Sequence, residues 1–411
     1  MVRLSKVLIA GAGAAMLAQS GSVGADDTPR RVAATSVAAS STAIEVMRTQ
    51  PIVGDARFHD KLDLSAARLQ DDRYIVDAAG RTVTLTLDPQ LQKTAEDVLR
   101  RAKARMAAAV VLDMNGRILA LAGRRNVAPK AARDFAIPLK VWAPAASVFK
   151  IVTAAALLDT GLNPHRKVCY HGGLRSIRRD NLEDSKRDRR CRDLGYALAK
   201  SQNAIIAKLS HHHLRPAQLR SYAKRLGFES TPRFALSAAK STCKIPDKPL
   251  AFARVAAGFW KTRMSALQAA LIAQTVASGG LAVQPRIIDR VEDRRGSTHV
   301  VVSPPAHRVL RRTIARTLTK MMIGTTEYGT ARHGFTDRRG RKYLRGIKVA
   351  GKTGTLTRRS PSYMQYSWFV GFAPANAPKV AFAVLLGNPP KWHLKAHTAA
   401  RLILQKALRL R

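Results

Sequence analysis

Ser147 and Lys150 stand three positions apart at the head of an apolar run, Ile151-Val152-Thr153-Ala154-Ala155-Ala156-Leu157-Leu158. Such a run reads as a helix, and residues i and i+3 share a helix face, so the hydroxyl and the amine can meet. A serine hydroxyl is a weak nucleophile until a base takes its proton. A lysine can be that base only when it is neutral, which burial or a nearby cation enforces. Backbone N–H groups at a helix start also favour developing negative charge. The pair points to nucleophilic acyl chemistry, with a capped surface helix as the bland alternative.

Two further clusters carry polar groups at useful spacings. Ser201-Gln202-Asn203 follows Leu194-Gly195-Tyr196-Ala197-Leu198-Ala199-Lys200 and precedes the apolar Ala204-Ile205-Ile206-Ala207-Lys208-Leu209. One helix is expected to break here and another to begin, turning these side chains into a cleft. A hydroxyl can relay a proton and an amide can hold a carbonyl; an ordinary N-cap explains the same residues. Lys352-Thr353-Gly354-Thr355 lies on a strand opened by Ile347-Lys348-Val349-Ala350-Gly351. Thr353 and Thr355 share one face, and with Lys352 they can hold a carboxylate while the strand edge pairs with an extended peptide. Gly351 and Gly354 mark close approach of a ligand or another element. A plain edge strand with a solvated lysine is the alternative.

The elements that must position these groups can be read around them. Tyr74-Ile75-Val76 and Thr82-Val83-Thr84-Leu85-Thr86-Leu87 alternate as a hairpin. Asp88-Pro89 caps a helix running through Leu91, Ala95, Val98 and Leu99. A second hairpin, 108–121, turns on Asn115-Gly116. A mostly helical centre spans 145–278. Strand-like runs follow at 347–350, 366–372 and 380–386, and a basic amphipathic helix closes the chain at 398–408. Two strands before the helical block and three after it imply one shared antiparallel sheet: an α+β fold with five central strands, flanking helices and a mostly helical subdomain.

Composition narrows the setting. The 411 residues are 46% hydrophobic and 24% charged, which excludes collagen-like and wholly disordered chains. Lys plus Arg total 71 against 27 Asp plus Glu, a net charge of +44 that implies polyanionic surroundings. Residues 1–25 carry Arg3 and Lys6, then an uncharged run, then small residues before Asp26 and Asp27, the pattern of an export signal. Whether cleaved or retained as an anchor, it places the rest of the chain outside the cytoplasm, in the periplasm or cell envelope. The expected organisation is therefore this signal, a linker and short pedestal over 26–80, and one large domain over 81–411. Export argues against nucleic acid as the partner for the charge and favours wall carboxylates or an anionic membrane surface. It also permits disulfides. Cys169 and Cys191 bracket a hydrophilic stretch that one bridge would staple, leaving Cys243 over; three free thiols are equally compatible.

Two further clusters receive modest readings. Residues on a helix point about 100° apart, so His211-His212-His213 cannot readily converge on one ion, and no metal or other cofactor is expected. Arg338-Arg339, Arg341-Lys342 and Arg345 read either as a solvated loop or as an attractor for anionic glycan or lipid heads near the third cluster.

S-x-x-K, S-x-N and K-T-G in this order resemble the penicillin-binding proteins and serine β-lactamases. Segments 86–92, 109–121, 328–331 and 367–374 also look like stretches of penicillin-binding transpeptidase domains, so the resemblance runs from about residue 82 to the C-terminus. It is to monofunctional transpeptidases of class B type, although the N-terminal piece is short for that class. The resemblance implies that Ser147 is acylated by a D-Ala-D-Ala stem peptide of peptidoglycan, with Lys150 taking its proton and Ser201 relaying one to the leaving amine. Asn203 would orient the acyl side. Lys352, Thr353, Gly354 and Thr355 would bind the terminal carboxylate side, and the N–H groups of Ser147 and Thr355 would form the oxyanion hole. β-Lactam antibiotics should acylate the same serine. A D,D-carboxypeptidase, a serine β-lactamase and a non-catalytic β-lactam sensor or wall-binding protein share the resemblance. Against the lactamase stand the lack of a class A E-x-x-x-N after the second motif and the presence of Asn203 where class D enzymes are hydrophobic.

Overall fold

The computed structural model describes residues 50–126, 134–174 and 176–409. The expected export segment, 1–25, and the linker as far as 49 lie outside the described residues. The elements used below are, in chain order, α1 (Pro89–Ala102), β1 (Met106–Asp113), β2 (Ile118–Arg125), α2 (Lys150–Asp159), α3 (Leu194–Ala199), α4 (Asn203–His213), α5 (Ala266–Ala277), α6 (Arg312–Glu327), β3 (Ala350–Arg358), β4 (Met364–Ala373), β5 (Val380–Asn388) and α7 (Ala396–Ala407).

The central sheet has the order β3-β4-β5-β1-β2, antiparallel throughout. The two strands before the helical block thus join the three after it. β5 is buried along its whole length because helices cover both faces of the sheet. Alternate residues of a strand point to opposite faces. Ala381, Ala383 and Leu385 accordingly join the core shared with α2 and α5, while Val380, Phe382, Val384 and Leu386 join a second core with α1 and α7. β3 is the edge strand on one side, and its free edge meets the helical block.

A second sheet joins residues near the N-terminus to a distant segment. Its order is Ile52–Val53, Thr298–Val302, Ile288–Glu292, Arg81–Leu85, Arg73–Ala78 and Arg68–Gln70. The hairpin of Arg73–Ala78 and Arg81–Leu85 turns on Ala79 and Gly80, both at positive φ, so the boundary expected at residues 80/81 falls inside it. The buried Asp55 carboxylate accepts from the backbone N–H groups of Ala235, Ile287 and Ile288, pinning this early segment against the large domain.

The strand expected at 347–350 instead begins at Ala350. Gly346 turns the chain at φ +71, Ile347 N–H closes a turn on Leu344, and Lys348 O accepts from Ala375. The apolar residues there pack into the second core without joining the sheet ladder.

Cys169 and Cys191 are joined by a disulfide across a small two-stranded ribbon, Val168–Tyr170 and Arg190–Arg192; Cys243 is a free thiol. The arm between them is anchored by charge. Buried Lys208 on α4 donates to Asp188 at 2.6 Å, to Asp184 at 3.1 Å and to the Cys169 carbonyl at 3.0 Å. The His171 ring bridges Asp188 and Asp180.

Candidate active site

Ser147 lies in a 3-10 turn, Ala146–Phe149, that runs directly into α2. The helix expected at Ser147 therefore starts tighter than an α-helix. In a 3-10 turn residues i and i+3 eclipse, which sets Lys150 against Ser147. Lys150 Nζ is 2.8 Å from Ser147 Oγ, 2.7 Å from Asn203 Oδ1 and 2.6 Å from the Ala257 carbonyl oxygen. Asn203 Nδ2 donates to Leu174 O at 3.0 Å, and a carbonyl can only accept, so Oδ1 must be the amide end that faces Lys150. Lys150 thus meets two obligate acceptors. A neutral amine has two N–H groups for them and keeps its lone pair for the third neighbour, the Ser147 hydroxyl.

Burial favours that neutral form. Lys150 and Lys352 are both fully buried, 0% exposed. Desolvation, then the neighbouring Lys352 charge, pulls the Lys150 amine well below its usual pKa. Desolvation brings Lys352 down to about 7.

Ser201 occupies the break between α3 and α4. It takes a left-handed conformation, φ +56, and Gln202 supplies the N-cap by accepting from Ala204 N–H. Lys352 Nζ reaches Ser201 Oγ and Thr353 O, each at 3.0 Å. Ser201 Oγ accepting from Lys352 leaves its own O–H free to donate. Thr353 Oγ1 and Thr330 Oγ1 lie 2.5 Å apart, and Thr355 is exposed on the same face of β3.

The Ser147 turn and β3 are clamped together. Trp368 on β4 donates its indole N–H to Pro144 O at 2.9 Å. A Cβ on Gly354 would come within 3.1 Å of Val148 and 3.2 Å of Trp368, so this glycine answers to another element of the fold. Gly258 stands at φ +86, where a Cβ would meet Ala146 O at 2.4 Å and Ser147 Cα at 3.0 Å.

The structure thus brings Ser147, Ser201, Asn203, Thr353 and Thr355 to the lining of one cleft of about 730 Å³, with Lys150 and Lys352 buried beneath it against Ser147, Asn203 and Ser201, and Gly354 between the two threonines of β3. No Asp or Glu lines the cleft among the described residues. Sequence reasoning missed Thr330 and the carbonyls of Leu174 and Ala257. Thr330 lies in a stretch that bore the family resemblance, whereas a backbone carbonyl leaves no mark in residue type. His211 and His212 instead contact Glu183 and Leu182 O at the end of α4, and no three His, Cys, Asp or Glu gather as a metal site among the described residues. Arg341 pairs with Asp337, and Lys342 with Glu327, in an exposed loop.

An amine buried beneath a cleft serine, beside a free sheet edge, is equipment for acyl transfer to and from extended peptides. Residues 106–407 match the penicillin binding protein transpeptidase domain, and the chain belongs to that family. Among curated relatives, the peptidoglycan D,D-transpeptidase PbpA of Mycolicibacterium smegmatis is 26% identical over 365 residues, 79% of this chain and 70% of the relative. PbpA of Mycobacterium tuberculosis is 26% identical over 386 residues, 85% of this chain and 75% of the relative. Among solved structures, the D,D-transpeptidase domain of a peptidoglycan glycosyltransferase from Eggerthella lenta is 26% identical, with a TM-score of 0.66 over 80% of this chain and 84% of that one. The imipenem acyl-enzyme of penicillin-binding protein A from M. tuberculosis has the same fold, with a TM-score of 0.66 at 24% identity over 81% of this chain and 80% of that one.

Proposed function

We propose that this chain is a penicillin-sensitive peptidoglycan D,D-transpeptidase that works through an acyl-enzyme on Ser147. The observation that carries the reading is the geometry of the Lys150 amine, whose burial favours the neutral form and which has one open direction, toward the Ser147 hydroxyl. Ser147 Oγ bonds to the carbonyl carbon of the penultimate D-alanine of a stem peptide as its proton passes to Lys150. The backbone N–H groups of Ser147 and Thr355 take the developing oxyanion. The bond to the terminal D-alanine breaks, and the leaving amine takes its proton through Ser201. Lys352, Thr353 and Thr355 hold the departing carboxylate, with Gly354 letting β3 lie close to the serine. Asn203 orients the acyl side. An amine of a second stem peptide then attacks the ester, and Ser147 regains its proton.

The absence of a lining carboxylate among the described residues supports transfer over β-lactamase turnover, because hydrolysing the penicilloyl ester needs a base for water. The export-signal pattern of residues 1–25 supports an envelope location, where this substrate is found. The test uses the purified protein. Mass spectrometry should find one penicillin adduct, on Ser147. A stem-pentapeptide mimic should release D-alanine and, with an acceptor amine present, yield the cross-linked product. Penicillin acylation without any peptide product would reduce the protein to a sensor.

A further inference from the structure

A second pocket, of about 280 Å³, opens between the end of the helix Pro216–Arg225, α5 and the stretch 282–285. It shares no lining residue with the catalytic cleft. Lys224, Arg225 and Arg233 line it, all three exposed, and no Asp or Glu does so among the described residues. Arg225 is fixed in place: it donates to Val309 O and lies over the Tyr222 ring, 4.6 Å from the centroid. Glu229 is the acid of the loop that follows the helix. It accepts from Cys243 N–H at 2.6 Å, and neither residue lines the pocket. Three cations with no acid among them are set for an anion.

The rest of the lining asks for more than an anion. Gln268 on α5 is 5% exposed, and its Nε2 donates to Leu226 O at 2.8 Å. A carbonyl only accepts, so that bond fixes the orientation of the amide. Oε1 is then an acceptor with no partner among the described residues. Gly227, at φ +89, makes room for this amide, since a Cβ there would meet Gln268 Nε2 at 2.4 Å. A buried acceptor left open calls for a hydroxyl or N–H from a ligand. Leu271, Val283 and Pro285 add apolar wall. An inorganic anion leaves both the amide and this wall unanswered, and a fatty acid brings no donor for the amide. A hydroxylated ring that carries an acid answers all three parts, and its bulk suits a pocket of this size.

We infer that this pocket binds an acidic sugar unit. Its carboxylate or phosphate lies at Lys224, Arg225 and Arg233, a hydroxyl donates to Gln268 Oε1, and one ring face rests on Leu271 and Val283. The inference goes beyond the transpeptidase reading and does not depend on it. An anionic envelope polymer built from such units would be held here with the catalytic cleft left free.

The test titrates the purified protein by calorimetry with glucuronic acid, glucose 6-phosphate, glucose, hexanoic acid and inorganic phosphate. At least one of the two acidic sugars should bind one to one with a Kd near or below about 1 mM at low ionic strength, weakening with added salt. The tighter of the two identifies the acid as carboxylate or phosphate. Glucose, hexanoic acid and inorganic phosphate should each bind at least about tenfold more weakly than that sugar. Lys224→Gln with Arg233→Gln should weaken it by at least about tenfold as well, while penicillin labelling and the melting temperature stay close to wild type. These two side chains are exposed, so the double variant should fold. No saturable binding of either acidic sugar overturns the inference. Equal binding of glucose, of hexanoic acid or of inorganic phosphate overturns the ligand class. Binding that is unchanged in the double variant overturns the assignment to this pocket.

Discussion

Lys150 and Asn203 fix each other's state: the amide oxygen of Asn203 lies 2.7 Å from the Lys150 amine, while its nitrogen is committed to Leu174 O. The contact decides where the lysine lone pair points. Asn203→Ala should therefore slow penicillin acylation by about ten- to a hundredfold, the equivalent of losing one buried hydrogen bond worth about 1–3 kcal/mol. Stopped-flow acylation kinetics would measure this, and an unchanged rate would refute the positioning role.

Acylation should depend on pH with a definite sign. Both buried amines are shifted down, so Lys150 becomes a competent base as pH rises through its lowered pKa. Lys352, at about 7, loses its charge above neutrality. The acylation rate should thus rise from acid pH and bend over in the alkaline range. Lys352→Gln removes the cation that helps depress Lys150, so the acid limb should move to higher pH. A flat profile from about pH 5 to 9 counts against a lysine base.

Ser147→Ala should remove labelling by fluorescent penicillin completely while leaving the melting temperature within a few degrees of wild type. The side chain is small and only half-buried, so its loss leaves little cavity. Residual covalent labelling would send the search to another nucleophile.

Thr330 was invisible as a site residue until its hydroxyl was found 2.5 Å from that of Thr353. Thr330→Val keeps the shape and removes the hydroxyl's short bond to Thr353 and its longer one to Ala199 O, a loss of about 1 kcal/mol, so kcat/KM for a stem peptide should fall about fivefold. Thr330→Ser should restore most of it. Failure of serine to rescue would mean that packing is the residue's contribution.

Gly258→Ala tests the support behind the serine. Its φ of +86 already disfavours a side chain, and the added carbon would press on Ala146 O and Ser147 Cα. A destabilisation of about 1–3 kcal/mol with a loss of acylation is expected. Thermal melts and penicillin labelling of the same preparation would decide it.

The disulfide closes a loop with a sequence separation of 22, and that loop contains Leu174, whose carbonyl orients Asn203. Chain entropy assigns such a bridge roughly 3 kcal/mol. Cys169→Ser with Cys191→Ser should lower the melting temperature and slow acylation together. Reductant should do the same to the wild type, and should leave the double variant as it was.

The order of the three motifs, the strand-like runs at 108–112, 366–372 and 380–386, and the uncharged run of 151–158 were legible because each is a local pattern of residue types. Period and spacing place a serine above a lysine, or two threonines on one face, before any tertiary contact exists. The start of β3 was not legible, because apolar residues at 347–349 serve the core as well as a strand would. Nor were the short strands at Ile52–Val53 and Arg68–Gln70, which exist only through their pairing with distant partners.

By itself, then, the chain's order of residues determined which side chains are available for acyl chemistry and on what kind of element each one rides. Only the tertiary structure decided that the neutral form of a lysine is favoured, because desolvation depends on what surrounds the amine from every side. It also decided which way its lone pair faces, because the carbonyl of Ala257 and the amide of Asn203, 107 and 53 residues away, take up its two N–H bonds. Hydrogen bonding and burial at that range belong to the folded chain as a whole, and no local pattern encodes them.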